Sequence, residues 1–154
     1  MKATRTVLTL IMLFAGLALW AAENPNMGTW KLNEAKSKIS AGMPKNLTVK
    51  YEVAGDNIKA TVDGVDGQGK PTHNEWIGKF DGKDYPVTGD PTSDSRSMKQ
   101  IDERNLELTV KKDGKIRMTG KLVIAADGKS RTLTASGTDA MGKKMEMTSV
   151  YDKQ

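Results

Sequence analysis

The sequence predicts an all-β domain built from antiparallel strands. Three observations predict it. Turn residues recur about every 8–12 positions, the apolar residues between them alternate with period two, and no stretch carries a helical stripe of comparable length. One-sided burial of antiparallel strands produces this alternation, and the regular turns join the strands into a meander, closed as a barrel or folded as a sandwich.

The elements follow in chain order. A first strand spans 27–33, and Asn33 can cap a turn or two of helix ahead of Glu34, Ala35 and Lys36. Strand 45–54 sets Leu47, Val49, Tyr51 and Val53 on one face, against Thr48, Lys50 and Glu52. Ala54-Gly55-Asp56-Asn57 turns the chain into 57–64, where Ile58, Ala60 and Val62 alternate with Lys59, Thr61 and Asp63. Asp66-Gly67-Gln68-Gly69 leads to 71–80, in which Trp76 and Phe80 share a face with Thr72, Asn74 and Gly78. Turns at Asp81-Gly82 and Gly89-Asp90-Pro91 bound strands 84–88 and 95–101, and Asp102-Glu103-Arg104-Asn105 opens 104–112, with Leu106, Leu108 and Val110 in phase. After Asp113-Gly114, strand 115–125 has a long apolar face of Ile116, Met118, Gly120, Leu122 and Ile124. Asp127-Gly128 precedes 130–137, and a turn from Gly137 to Gly142 precedes 143–152, where Met145, Met147 and Tyr151 align. Asp-Gly pairs suit tight hairpins because both central residues must tolerate positive φ.

The amino terminus differs in kind. Lys2 and Arg5 precede an almost wholly apolar run from Val7 to Trp20, and Ala21-Ala22 precedes Glu23. A basic start, an apolar centre and a small-residue exit describe a secretory signal peptide over residues 1–22, followed by one domain over 23–154. An uncleaved anchor is the competing reading, but the run falls short of the roughly 18–20 apolar residues that span a bilayer. No cysteine follows it, which excludes a lipid-modified thiol. The expected product is exported, periplasmic or extracellular, with no stable membrane anchor after cleavage. Removing 22 of the 154 residues leaves 132, with 22 Lys and Arg against 19 Asp and Glu, a net charge of +3. Those charges alternate in sign, as in Lys111-Lys112-Asp113, where a nucleic-acid footprint needs a basic stripe. With no cysteine in the chain, thiol redox chemistry, cysteine-protease chemistry and thiolate metal sites are excluded.

The segment Met27-Gly28-Thr29-Trp30-Lys31-Leu32 resembles the Gly-x-Trp opening of the calycin superfamily, the lipocalins, avidins and fatty-acid-binding proteins. The closing Val150-Tyr151-Asp152-Lys153 is similar to the end of intracellular fatty-acid-binding proteins, and the set resembles small exported bacterial lipocalin-like proteins. The resemblance implies an up-and-down β-barrel of 8–10 strands, with Gly28 and Trp30 as the structural plug of its closed end. It departs in two places. Only Asn33 to Lys45 is available for the helical lid of fatty-acid-binding proteins, and Ser149 stands where that family has an Arg for the ligand carboxylate.

No catalytic constellation emerges. His73, the single histidine, shares a strand face with Glu75, which is half a metal site and more simply a surface pair. No Gly-x-Ser-x-Gly occurs, and the paired carboxylates (Asp63 and Asp66, Asp81 and Asp84, Asp90 and Asp94) sit in turns, where they bond their own backbone. Met145 and Met147 fit either soft copper coordination or, more simply, apolar packing. The expected function is therefore non-catalytic binding of a small apolar or weakly polar molecule inside the barrel, with no cofactor, no metal and no nucleic acid. The expected lining is Tyr51, Trp76, Met118, Met147 and Tyr151, with Arg96 as the single internal charge, which favours neutral ligands over fatty acids. The alternative is a protein-interaction module or inhibitor with a filled barrel and an apolar patch on its loops. N-terminal sequencing of the exported protein is expected to find Ala22 or Glu23 first; an intact Met1 would refute the signal peptide.

Overall fold

The computed structural model describes residues 24–138 and 141–154, so the proposed signal peptide lies outside the described residues. Ten antiparallel strands close into a barrel in simple up-and-down order, β1 pairing with both β2 and β10. They are β1 (Gly28–Leu32), β2 (Lys45–Ala54), β3 (Asn57–Val65), β4 (Pro71–Gly78) and β5 (Asp81–Thr88), then β6 (Ser95–Gln100), β7 (Asn105–Lys112), β8 (Lys115–Ile124), β9 (Ser130–Thr138) and β10 (Lys144–Lys153). A short 3-10 turn, Glu34–Lys36, follows β1, and Asn33 caps it by accepting a bond from the Lys36 amide.

Two local readings change. Asp81-Gly82 is not the β4–β5 turn: both residues lie inside β5, where the register slips between Asp81 and Asp84. Gly82 has φ +80, so the pair forms an irregularity in the strand and the reversal falls at Lys79 and Phe80. Ile116 is not on the inward face of β8. The β7–β8 register shifts after Val110, so Ile116 pairs with the outward Lys111 and is 59% exposed. A single bulge residue is enough to flip a side chain across the sheet.

The barrel has two dissimilar ends. The long β1–β2 connection and the 66–70, 89–94 and 113–114 turns gather at one end. β9 and β10 are also joined at that end, and the other end receives residues 24–27, the chain end and the turns at 55–56, 79–80, 101–104 and 125–129. That second end is closed. Trp30 is fully buried and its indole Nε1–H donates to the Asn26 carbonyl at 2.9 Å, tying residues 24–27 across the opening. Gly28 has φ +101, a conformation that suits glycine and re-aims the chain into β1. Arg131 is buried beside Trp30, its guanidinium carbon 4.6 Å from the indole centroid, 5.2 Å from the Tyr51 ring and 5.1 Å from the Tyr151 ring. Three ring faces thus surround a cation that forms no ion pair among the described residues, and cation–π attraction offsets part of its desolvation. The expectation of a single internal charge is therefore corrected: among the described residues the barrel interior holds two, Arg96 and Arg131.

The β4–β5 junction is the sparsest, with only Glu75 opposite Thr88 and Trp76 opposite Val87. Trp76 reinforces it from inside by donating its Nε1–H to the carbonyl of Arg96 on β6, 2.9 Å away across β5. Its ring stacks on Phe80 and meets Tyr85 edge-on. Gly78 makes room, because a Cβ there would lie 2.5 Å from the Tyr85 ring and 2.6 Å from the Trp76 ring.

Truncating Trp30 removes the largest side chain of the closed end. Trp30→Ala is expected to destabilise the fold by about 3–5 kcal/mol, read as a fall in the urea midpoint. A midpoint within error of the parent protein would mean that Trp30 does not hold the barrel shut.

Candidate functional site

Inward side chains differ in size from layer to layer along the barrel. Near the closed end Leu106, Leu122 and Leu133 stand side by side on β7, β8 and β9, all buried. One layer toward the loop end the matching row is Leu108, Gly120, Ala135 and Met147. Glycine and alanine contribute little or no side-chain volume there, so the interior that the leucines fill below stays open above. A cavity of about 1000 Å³ lies at this layer, its lining including the inward Leu108, Gly120, Ala135 and Met147, Ile39, and polar residues such as Glu107, Lys121 and Glu146. Ile39 comes from the β1–β2 connection, which Lys38 anchors to Thr148 of β10 through a pair of backbone bonds. The exposure of inward residues follows the same gradient. Tyr51, Met98, Leu122, Ile124 and Tyr151 are buried, whereas Thr72, Arg96, Leu108, Met118, Met145 and Met147 are half-buried.

The six side chains expected to line one space divide into two groups. Arg96, Met118 and Met147 belong to the open half, and Met147 contacts the cavity. Tyr51 and Tyr151 belong to the closed half, 6% and 3% exposed, with their rings against Arg131. The Tyr51 hydroxyl donates to the Met98 sulfur at 3.8 Å. Burial raises the Tyr151 pKa, with the nearby Arg131 charge opposing it. Trp76 is fully buried and its one donor is used on Arg96. Ile39, Gly120, Ala135 and Arg131 were not expected. For Arg131 a signal existed: it alternates in phase with Leu133, Ala135 and Gly137.

Arg96 is the polar feature of the open half. It points inward between Tyr85 on β5 and Val110 on β7. Its Nη2 donates to Asn74 Oδ1 at 3.4 Å, while its Nε is buried without a partner among the described residues. Asp90, in the connection between β5 and β6, forms no ion pair with it. The Asp90 oxygens accept from the Thr92 amide and hydroxyl and from the Ser93 hydroxyl. Burial raises the Asp90 pKa, but these bonds outweigh it and the net shift is downward.

The other ionisable groups face outward. Turn aspartates accept from their own backbone: Asp66 from the amides of Gln68 and Lys70, Asp102 from Arg104 and Asp127 from Lys129. His73 does not form half a metal site with Glu75. Its Nδ1 lies 2.6 Å from Asp63 Oδ1 on the neighbouring strand, while Nε2 is 3.8 Å from Glu75, which itself pairs with Lys59 at 2.6 Å. No cluster of three potential metal ligands occurs among the described residues.

The Asp63 bond, and then the charges of Asp63 and Glu75, raise the His73 pKa above its ordinary value. A raised folded-state pKa means that the pairing stabilises the fold below the unfolded histidine's pKa of about 6.5 and is lost as pH rises through the folded value. In an NMR titration His73 is expected to titrate above 6.5, and Asp63→Asn to bring it down; identical curves would show that Asp63 does not hold the imidazolium.

No family model matches the chain, and no curated protein matches it. Among solved structures it is similar to lobster apocrustacyanin A1, at 15% identity over 90% of this chain and 68% of that one, with a TM-score of 0.43. It is also similar to apocrustacyanin C1 (16% identity, 90% and 68% covered, TM-score 0.40) and to H1 crustacyanin from the lobster Homarus americanus (15%, 90% and 67%, TM-score 0.36).

Proposed function

We propose that this chain is an exported, non-catalytic binding protein that holds one small, partly apolar molecule in the open half of its barrel. The observation that carries the reading is the change in layer from Leu106, Leu122 and Leu133 to Leu108, Gly120 and Ala135, beside which lies a cavity of about 1000 Å³. That is the upper end of the range for small-molecule sites, about 300–1,000 Å³. Flexible Met118 and Met147 beside it suit a ligand of irregular shape. Export rests on the signal peptide read from residues 1–22.

One observation favours a second reading, a protein-interaction module. Ile116, 59% exposed, and Met141, 90% exposed, sit on neighbouring hairpins at the loop end. An apolar rim of that kind is what a partner would cover.

Titration with Nile red separates the two. Saturation near one dye per chain is expected. Met147→Trp, which pushes an indole into the cavity, is expected to weaken binding about tenfold or more while costing less stability than the roughly 1–3 kcal/mol of overpacking a filled core. A parent protein that binds no dye, with Met147→Trp strongly destabilised, would mean a closed interior and leave the interaction reading in its place.

A further inference from the structure

Arg96 and Arg131 are both interior guanidinium groups, and they are treated differently. Arg131 has three aromatic rings around it, each centroid within about 5 Å of its guanidinium carbon. Arg96 has no such ring contact, no ion pair, and one long bond to a neutral amide oxygen at 3.4 Å among the described residues. Arginine stays protonated in proteins, so this charge is carried inside the barrel. A buried cation without a direct partner is costly, and the nearby acid, Asp90, attracts it only at a distance, because its oxygens are bonded to Thr92 and Ser93.

The geometry of the group is specific. Nε and Nη2 form the side-on fork with which arginine grips a carboxylate or phosphate by two parallel bonds. Here Nε is unpartnered and Nη2 has only the long contact to Asn74. Arg96 lies one strand from the cavity wall: it pairs with Val110, whose inward neighbour on β7 is the cavity-lining Leu108. The Trp76 bond to the Arg96 carbonyl fixes the backbone from which the side chain projects. On the β7 to β10 side the inward Leu108, Ala135 and Met147 give the open half an apolar surface within a mixed lining, and the β6 side carries one fixed positive fork.

We propose that Arg96, with Asn74 beside it, is an anion-gripping subsite, and that the molecule bound is an amphiphile with one anionic head group and an apolar tail. The proposal rests on the open-half reading above and reverses the preference for neutral ligands expected when Arg96 was read without its surroundings. A carboxylate and a phosphate monoester share the recognised chemistry, two oxygens in one plane bearing negative charge. The head sits on the Arg96 fork, and the tail runs across Leu108, Gly120 and Ala135 toward Met147.

The experiment is displacement of Nile red from the full-length mature protein by three twelve-carbon competitors: dodecanoate, dodecyl phosphate and dodecanol. At least one of the two anions is expected to displace the dye at about tenfold or more lower concentration than dodecanol. Which anion competes better separates a carboxylate from a phosphate source. Arg96→Gln is expected to retain Nile red and dodecanol binding and to lose the preference. Should Arg96→Gln fail to fold, Arg96→Lys keeps the charge but removes the fork, and is expected to lower the preference about threefold or more. Equal displacement by all three competitors on the parent protein would overturn the subsite while leaving the cavity in place. So would a preference that survives both substitutions. Failure of Nile red and of every competitor to bind would overturn the cavity and the subsite together.

Discussion

The guanidinium of Arg131 lies against the indole of Trp30, and on that contact one end of the barrel is closed. The two residues come from β9 and β1, nearly the whole length of the domain apart, and Tyr51 and Tyr151 complete the enclosure from β2 and β10. Four strands are thus fixed around one cation. Lys153 adds a second positive charge 5.1 Å from the same indole centroid and bonds the Pro25 carbonyl, so the amino-terminal segment and the chain end are held in the same cluster. A cation enclosed by rings has little freedom of position. The strands that supply the rings are in turn held in register.

Because the closed end is filled by these large groups and the leucine layer above them, the remaining interior volume is displaced toward the loops. The gradient is compositional. Aromatic rings and an arginine occupy the base, leucines the middle, and glycine, alanine and methionine the open part. Packing of this kind lets a small domain keep a solid core and a cavity within one barrel. The solid part carries the stability that the hollow part cannot supply. It also explains why Tyr51 and Tyr151, inward by alternation, serve the base, whereas Met147, inward by the same alternation on the same strand as Tyr151, reaches the space.

The strands were legible because each carries its own local signal, apolar alternation bounded by glycine-rich turns. All ten appear, most with ends within a residue or two of their expected positions. What alternation does not register is a one-residue slip. The irregularity at Asp81 to Asp84 turned an expected hairpin into part of a strand, and the slip after Val110 turned Ile116 outward. Arg131 is in phase with Leu133, yet a charge reads as solvent-facing until its partners are known. Those partners, Trp30, Tyr51 and Tyr151, are brought to it only by barrel closure. The cavity was hidden for the same reason. Gly120 and Ala135 leave space because they fall in one transverse row, and a row is a property of register, which no single strand contains.

Barrel closure also removes the free strand edges by which β-proteins adhere to one another. That protection is only as good as the sparsest junction, and here two residue pairs join β4 to β5. If the sheet parts at that point, two unpaired backbone rows appear at once, along β4 and along β5. Pro86 interrupts one of them, since it offers no N–H to an incoming strand. Trp76 works from the other direction: its indole ties β4 to β6 behind the junction, so the two sides cannot separate without breaking a buried bond. The tryptophan that packs the aromatic cluster is thereby also a guard against self-association.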